Sequence, residues 1–217
     1  MEKLSVRPER PAQAALLALR SDDAARAASH HRGRVRPGVL LDRDGTIIVD
    51  HGYVGAVEQV QLIDGSADAI ARFNRAGVPV VVVSNQAGVA RGHLTVEDVE
   101  AVNARVAELL LQHGAHVDRF FFCPYHPDGD VPSFARASED RKPRPGMAIA
   151  AAAALDLDLA ASWVIGDRPE DIGLAEQVGA GAIYVGPQPA PPPVPAYVRS
   201  FESLASAASF VLEQLAA

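Results

Sequence analysis

Residues 39–46 read VLLDRDGT, and the fold turns on that octet. Three aliphatic residues followed at once by Asp-Arg-Asp-Gly form a short strand buried on both faces that ends in a tight turn carrying two carboxylates. VPVVVVSN at 78–85 is a second such run and the strongest strand signal in the chain. RFFF (119–122), WVIG (163–166) and AIYV (182–185) repeat the pattern. Helical stretches separate them. Residues 66–76 place Ile70 and Phe73 on one face with Gly77 as the stop, and Thr95 with Asp98 resembles a capping box that opens a helix through Val99, Val102, Val106, Leu109 and Leu110 to Gly114. Residues 145–155 and 169–178 complete the set. Alternating strands and helices of this kind predict an α/β fold, a Rossmann-like parallel sheet with helices on both faces.

Outside this core the sequence changes character. Residues 1–37 predict an Ala-rich helical arm and linker, 38–186 the main α/β domain, and 187–217 a Pro-rich connector followed by a terminal helix over 201–215 that packs back on the body. The 217 residues, 48% apolar, suffice for one sizeable core. A lone cysteine excludes an internal disulfide, no apolar run approaches a membrane span, and Arg7, Arg10 and Arg20 make the N-terminus a poor signal peptide. A cytoplasmic protein with no membrane partner is expected. Net charge is −7, unevenly spread: residues 1–36 hold eight Lys/Arg and four Asp/Glu, a net of +4 that leaves −11 for the rest. Such an acidic body argues against nucleic acid as a partner and suits an anionic ligand met through a bound cation.

In open parallel sheets ligands gather at the carboxyl ends of the strands. Those ends carry Asp42, Asp44 and Thr46, then Ser84, Asn85 and Gln86, then Asp167 with Asp171 one turn on; a fourth loop delivers Arg141 and Lys142. Singly, each has an ordinary structural explanation as a turn, a cap or a solvated charge. Together, three carboxylates on one sheet edge repel one another unless a cation binds there. With oxygen donors and no nearby cysteine or histidine, that cation is a hard one, Mg²⁺ before a transition metal.

DRDGT at 42–46, the apolar strand ending in Ser84, Lys142 within RKPRPG and GDRPED at 166–171 resemble, in order, the four motifs of the haloacid dehalogenase (HAD) superfamily of phosphatases. IIVDHGYV (47–54), SNQAGVARG (84–92) and RKPRPGM (141–147) look like the branch that holds the heptose bisphosphate and histidinol-phosphate phosphatases, with HGYV leaning towards the former. The resemblance implies hydrolysis of a phosphomonoester through an aspartyl-phosphate, with Asp42 as nucleophile and Asp44 as general acid and base. Ser84 and Lys142 would stabilise the phosphoryl group, and Asp42, the Asp44 backbone carbonyl and Asp167 would hold Mg²⁺, with Asp171 in support. Arg141, Asn85, Gln86, Thr46 and Arg91 are the implied substrate contacts. The short span between Asp44 and the second strand leaves room for only a minimal cap.

Residues 123–142 read CPYHPDGDVPSFARASEDRK. The branch commonly carries a structural zinc on this loop, but here Tyr125 stands at the expected histidine, Ser138 and Asp140 stand at two expected cysteines, and His126 is one residue off. No zinc is expected, because a structural site wants four nitrogen or sulfur ligands. The reading is a monomeric phosphatase acting on a sugar phosphate, first of all the 7-phosphate of a heptose 1,7-bisphosphate. The alternatives are a phosphatase for histidinol phosphate or another small monoester, and an inactive scaffold that binds a phospho-ligand.

Overall fold

Val39, Leu40 and Leu41 are wholly buried because the strand they form is central: it pairs in parallel with one neighbour on each side. A computed structural model describes residues 35–187, 195 and 198–216. Most of the expected N-terminal arm, and most of the Pro-rich connector, lie outside the described residues. In chain order the elements are β1 (Val39–Leu41), α1 (Ser66–Arg75), β2 (Val80–Asn85), the short α2 (Ala87–Ala90), α3 (Val96–Gln112) and β3 (Arg119–Cys123), then α4 (Gly146–Leu155), β4 (Trp163–Gly166), α5 (Pro169–Val178), β5 (Gly181–Val185), β6 (Arg199–Phe201) and α6 (Leu204–Ala216).

The six strands form one parallel sheet in the order β3-β2-β1-β4-β5-β6. Strand order reverses at β1 and β4, which opens a crevice at their carboxyl ends. Two apolar clusters cover the two faces. One joins Ile70 and Phe73 of α1, Val102 and Val106 of α3 and Val211 of α6 to the sheet, and the other brings Met147, Ala148 and Ala151 of α4 and Leu174 of α5 against Leu40, Val81 and Val164. The α3 start is as the sequence predicts: Thr95 Oγ1 accepts from Asp98 N at 3.1 Å, and Asp98 Oδ2 accepts from Thr95 N at 2.8 Å.

The C-terminal segment departs from expectation. Residues 199–201 form an edge strand in register with Ile183–Val185, so the last helix begins at Leu204 and not at Phe201. Burial of Leu204, Ala207, Ala208 and Val211 explains why α6 returns to the sheet. Among the described residues no helix is long and apolar enough to cross a membrane.

Candidate active site

The turn after β1 is built around one backbone carbonyl: Arg43 O accepts from Ile47 N at 2.9 Å and from Ile48 N at 3.1 Å. Gly45 takes a φ of +81°, and a Cβ on it would run into the Asp167 carboxylate, so this turn and the end of β4 are pressed together. Asp42 and Asp44 thereby leave the sheet edge at the switch point. They line one cleft of about 450 Å³ with Ser84 and Lys142. Asn85, Gln86, Arg91 and Arg141 line the same cleft. Thr46 does not: it is 2% exposed and faces a neighbouring hollow with Ile63, Val185 and Leu204, because the turn points it away from the cleft.

Lys142 is the electrostatic centre. Its side chain is 3% exposed, and Nζ lies 2.9 Å from Asp42 Oδ1, 2.6 Å from Asp171 Oδ1 and 2.7 Å from Val83 O. All three ammonium protons therefore have acceptors. Burial alone would discharge a lysine, but Asp171 and Asp42 outweigh it and raise its pKa above the ordinary value. Asp171 spends its other oxygen, Oδ2, on Arg168 N at 3.1 Å, which suits it to orienting Lys142 and not to ligating a metal.

Asp42, Asp167 and Asp171 offer oxygens that all lie within 4.8 Å of one another. Asp167 Oδ1 is buried with no hydrogen-bond partner. Burial first, then the charges of Asp42 and Asp171, push the Asp167 carboxyl up to about 7, with Arg168 pulling the other way. An orphaned carboxylate oxygen beside a second carboxylate is a donor set suited to a cation, and being all oxygen it fits a hard divalent ion.

Asn85 was expected to touch substrate, but its amide is engaged elsewhere. Oδ1 accepts from Lys142 N at 2.9 Å and Nδ2 donates to Lys142 O at 3.0 Å, so it clamps the Lys142 backbone to the end of β2. Arg141 lines the cleft with a buried Nη1 that has no partner, and burial lowers its pKa. Arg91 Nη1 donates to Tyr53 Oη at 2.6 Å, and Tyr53 stacks on His93 with ring centroids 4.7 Å apart. Arg168 spans from Asp167 Oδ2, at 3.4 Å, to Asp50 Oδ2, at 2.7 Å. Sequence reasoning missed Tyr53 and Arg168 as cleft residues; HGYV was legible only as a branch signature.

Arg43 was missed as well. It is fully buried, although an arginine between two aspartates at a turn reads as a solvated charge. Nη2 lies 2.9 Å from Asp44 Oδ2 and 3.0 Å from Asp44 Oδ1, while Nη1 donates to Asn103 Oδ1 of α3 at 2.8 Å.

The geometry can be set beside known proteins. The HAD-hydrolase-like family matches residues 140–187, the span carrying Lys142, Asp167 and Asp171. The D-glycero-β-D-manno-heptose-1,7-bisphosphate 7-phosphatase of Yersinia pestis is 43% identical over 145 residues, 66% of this chain and 77% of that protein. Its counterpart in Escherichia coli K12 is 40% identical over 145 residues, 67% of this chain and 76% of that protein. Among solved structures, the D,D-heptose 1,7-bisphosphate phosphatase of B. bronchiseptica, crystallised with magnesium and phosphate, superposes with a TM-score of 0.71 at 31% identity. That match covers 82% of this chain and 99% of the other. The ordered motifs, the parallel sheet and these likenesses agree, and the chain belongs to the heptose bisphosphate phosphatase family of HAD-like hydrolases.

Proposed function

We propose that the protein is a Mg²⁺-dependent phosphomonoesterase that removes the 7-phosphate of D-glycero-β-D-manno-heptose 1,7-bisphosphate, the substrate named for its curated relatives. The observation that carries this reading is the Asp42 carboxylate, held 2.9 Å from a permanent buried cation, Lys142, and beside the orphaned oxygen of Asp167. A carboxylate so placed can meet a phosphate without prohibitive repulsion.

Asp42 attacks phosphorus, the bond from phosphorus to the C7 oxygen breaks, and Asp44 gives that oxygen a proton. Asp44 then takes a proton from the water that attacks the aspartyl-phosphate, which releases inorganic phosphate and restores Asp42. Ser84 donates to a phosphoryl oxygen, and Lys142 neutralises charge shared by phosphate and nucleophile. Asp42, the Asp44 carbonyl and Asp167 would hold the metal, which when bound would supply positive charge to offset the repulsion of phosphate by the carboxylates. Arg141, with its unpartnered Nη1, and Arg91 are the candidates for the sugar and its second phosphate. Gln86 supports Asp44, to which its amide donates at 2.8 Å. Asn85 acts through Lys142. We assign the enzyme to the cytoplasm, as suits a chain whose one cysteine is buried and free, and we take it to act as a monomer.

The test is phosphate release from the two heptose 1,7-bisphosphate anomers, histidinol phosphate, fructose 1,6-bisphosphate and nucleotides, with Mg²⁺ and with EDTA. The β-anomer should turn over fastest, EDTA should stop it, and Asp42→Asn should abolish it. Faster release from histidinol phosphate would move the substrate assignment. Binding without turnover of any substrate would leave only the inactive scaffold.

A further inference from the structure

Arg43 has no place in the roles assigned above, yet among the described residues it is the largest fully buried charged side chain. A buried guanidinium is costly unless its charge is matched and its donors are filled. The match here is Asp44: Nε donates to Oδ1 at 3.2 Å, and Nη2 reaches Oδ1 at 3.0 Å and Oδ2 at 2.9 Å. The anchor is Asn103, 2% exposed on α3, whose Oδ1 accepts from Nη1 at 2.8 Å. The Asp44 carboxylate is thus tied through Arg43 to a helix packed on the sheet, and not merely to its own turn.

We infer that Arg43, tethered by Asn103, is a positioning residue for the reaction: it seats the Asp44 carboxylate where a proton reaches the departing ester oxygen, and Asp44 works from that one seat. The inference rests on the acid–base reading of Asp44. Were Asp44 to swing away to meet the substrate, it would leave the Arg43 charge buried without its carboxylate, which is the expensive way to break such a pair. Gln86 supplies the freedom that protonation needs. Its Nε2 donates one hydrogen to Asp44 Oδ2 and the other to Ser84 Oγ, each at 2.8 Å, so the bond to Oδ2 can lengthen when that oxygen carries the proton while Ser84 keeps Gln86 in place. The remaining bonds from Arg43 to Oδ1 keep the carboxyl in place.

The test separates positioning from structural support through the leaving group. Single-turnover release of the alcohol is measured for heptose 1,7-bisphosphate, whose alkoxide needs a proton, and for p-nitrophenyl phosphate, whose phenolate does not. Arg43→Lys keeps the charge and loses the two-pronged fork, and Asn103→Asp keeps shape and offers Arg43 a competing carboxylate. Both variants should slow release of the sugar by about tenfold or more, leave release of p-nitrophenol nearly unchanged, and keep KM. Asp44→Asn is the reference, with a loss of about 10²- to 10⁴-fold confined to the sugar. Equal slowing of both leaving groups, or slowing of neither, in whichever of the two variants melts like the parent overturns the inference. Asn103→Asp guards against a failure of Arg43→Lys to fold. Should Asp44→Asn itself release the sugar at the parental rate, the acid–base reading falls, which is a distinct result.

Discussion

Asp167 holds a proton more firmly than an ordinary carboxyl because burial and two carboxylate neighbours penalise its charge, raising its pKa from 3.8 to about 7. A raised folded-state pKa contributes stability that is complete below the unfolded value near 3.8 and lost as pH rises through about 7. The mutual repulsion of these carboxylates is greatest once Asp167 is ionised, and a bound cation would offset it. Below about 7 a binding cation must displace a proton, so Mg²⁺ affinity should fall with decreasing pH by up to about tenfold per unit. Titration calorimetry at pH 8, 7 and 6 checks this, and Asp167→Asn should weaken binding at every pH and flatten the dependence. An affinity indifferent to pH would remove Asp167 from the metal set. Asp42, Asp167 and Lys142 were readable as a convergent set because strand ends are readable. Asn85 and Arg43 were not, because polarity at a strand end does not say which partner a side chain will spend its hydrogen bonds on.

The loop from β3 to α4 must deliver Lys142, and along it Tyr125, Ser138 and Asp140 stand where the resemblance would put metal ligands. Tyr125 fills the place expected of a histidine; its ring is 3% exposed, packs against Phe134 at 5.8 Å between centroids, and lies under the Arg136 guanidinium at 4.1 Å. The β2 end is joined to the loop by the Asn85 clamp, and the α2 end by Ala90 O, which accepts from Asp130 N at 2.8 Å and Val131 N at 2.9 Å. Cys123 faces Tyr125 O at 3.8 Å, and His126 Nδ1 is occupied by Asp128 N at 3.1 Å. Packing is thus proposed to replace a metal. Tyr125→Ala should cost about 3 kcal/mol in denaturant unfolding and speed amide exchange across residues 124–142. Arg136→Ala, which removes one exposed cation–π contact, should cost no more than about 1 kcal/mol. Elemental analysis should find no stoichiometric zinc in purified protein; one zinc per chain would show that this account of the loop is wrong. This loop's departures from the resembled pattern, Tyr125, Ser138 and Asp140, are legible in the sequence because they are single letters at fixed places. The sequence did not foretell β6, because Arg199–Phe201 offers one apolar residue in three and is recognisable only once Val185 stands beside it.

The whole molecule is acidic, at −7, and the cleft sets Arg91, Arg141, Arg168 and Lys142 against Asp42, Asp44, Asp50 and Glu170. Arg168 is paired with Asp50 and Lys142 with Asp42 and Asp171, which leaves Arg91 and Arg141 as the lining cations that form no ion pair among the described residues. At a distance a polyanionic substrate is repelled by the body, and at the mouth it meets these two arginines. No inserted domain interrupts the described stretch between β1 and β2, which holds one short turn of helix and α1, so the cleft is open and the field is exposed to salt. Screening length falls from about 30 Å at 0.01 M to about 8 Å at 0.15 M. Arg91 and Arg141 act on the substrate during its last approach, so screening weakens the attraction that governs productive encounter. For a bisphosphate, kcat/KM should therefore fall severalfold over this range while kcat stays level, and for a monophosphate of the same sugar the fall should be about half as steep on a logarithmic scale. Arg91→Gln should flatten the slope without touching kcat for p-nitrophenyl phosphate. A rise of kcat/KM with salt would mean that the acidic body governs encounter, and the arginines would then act only after contact.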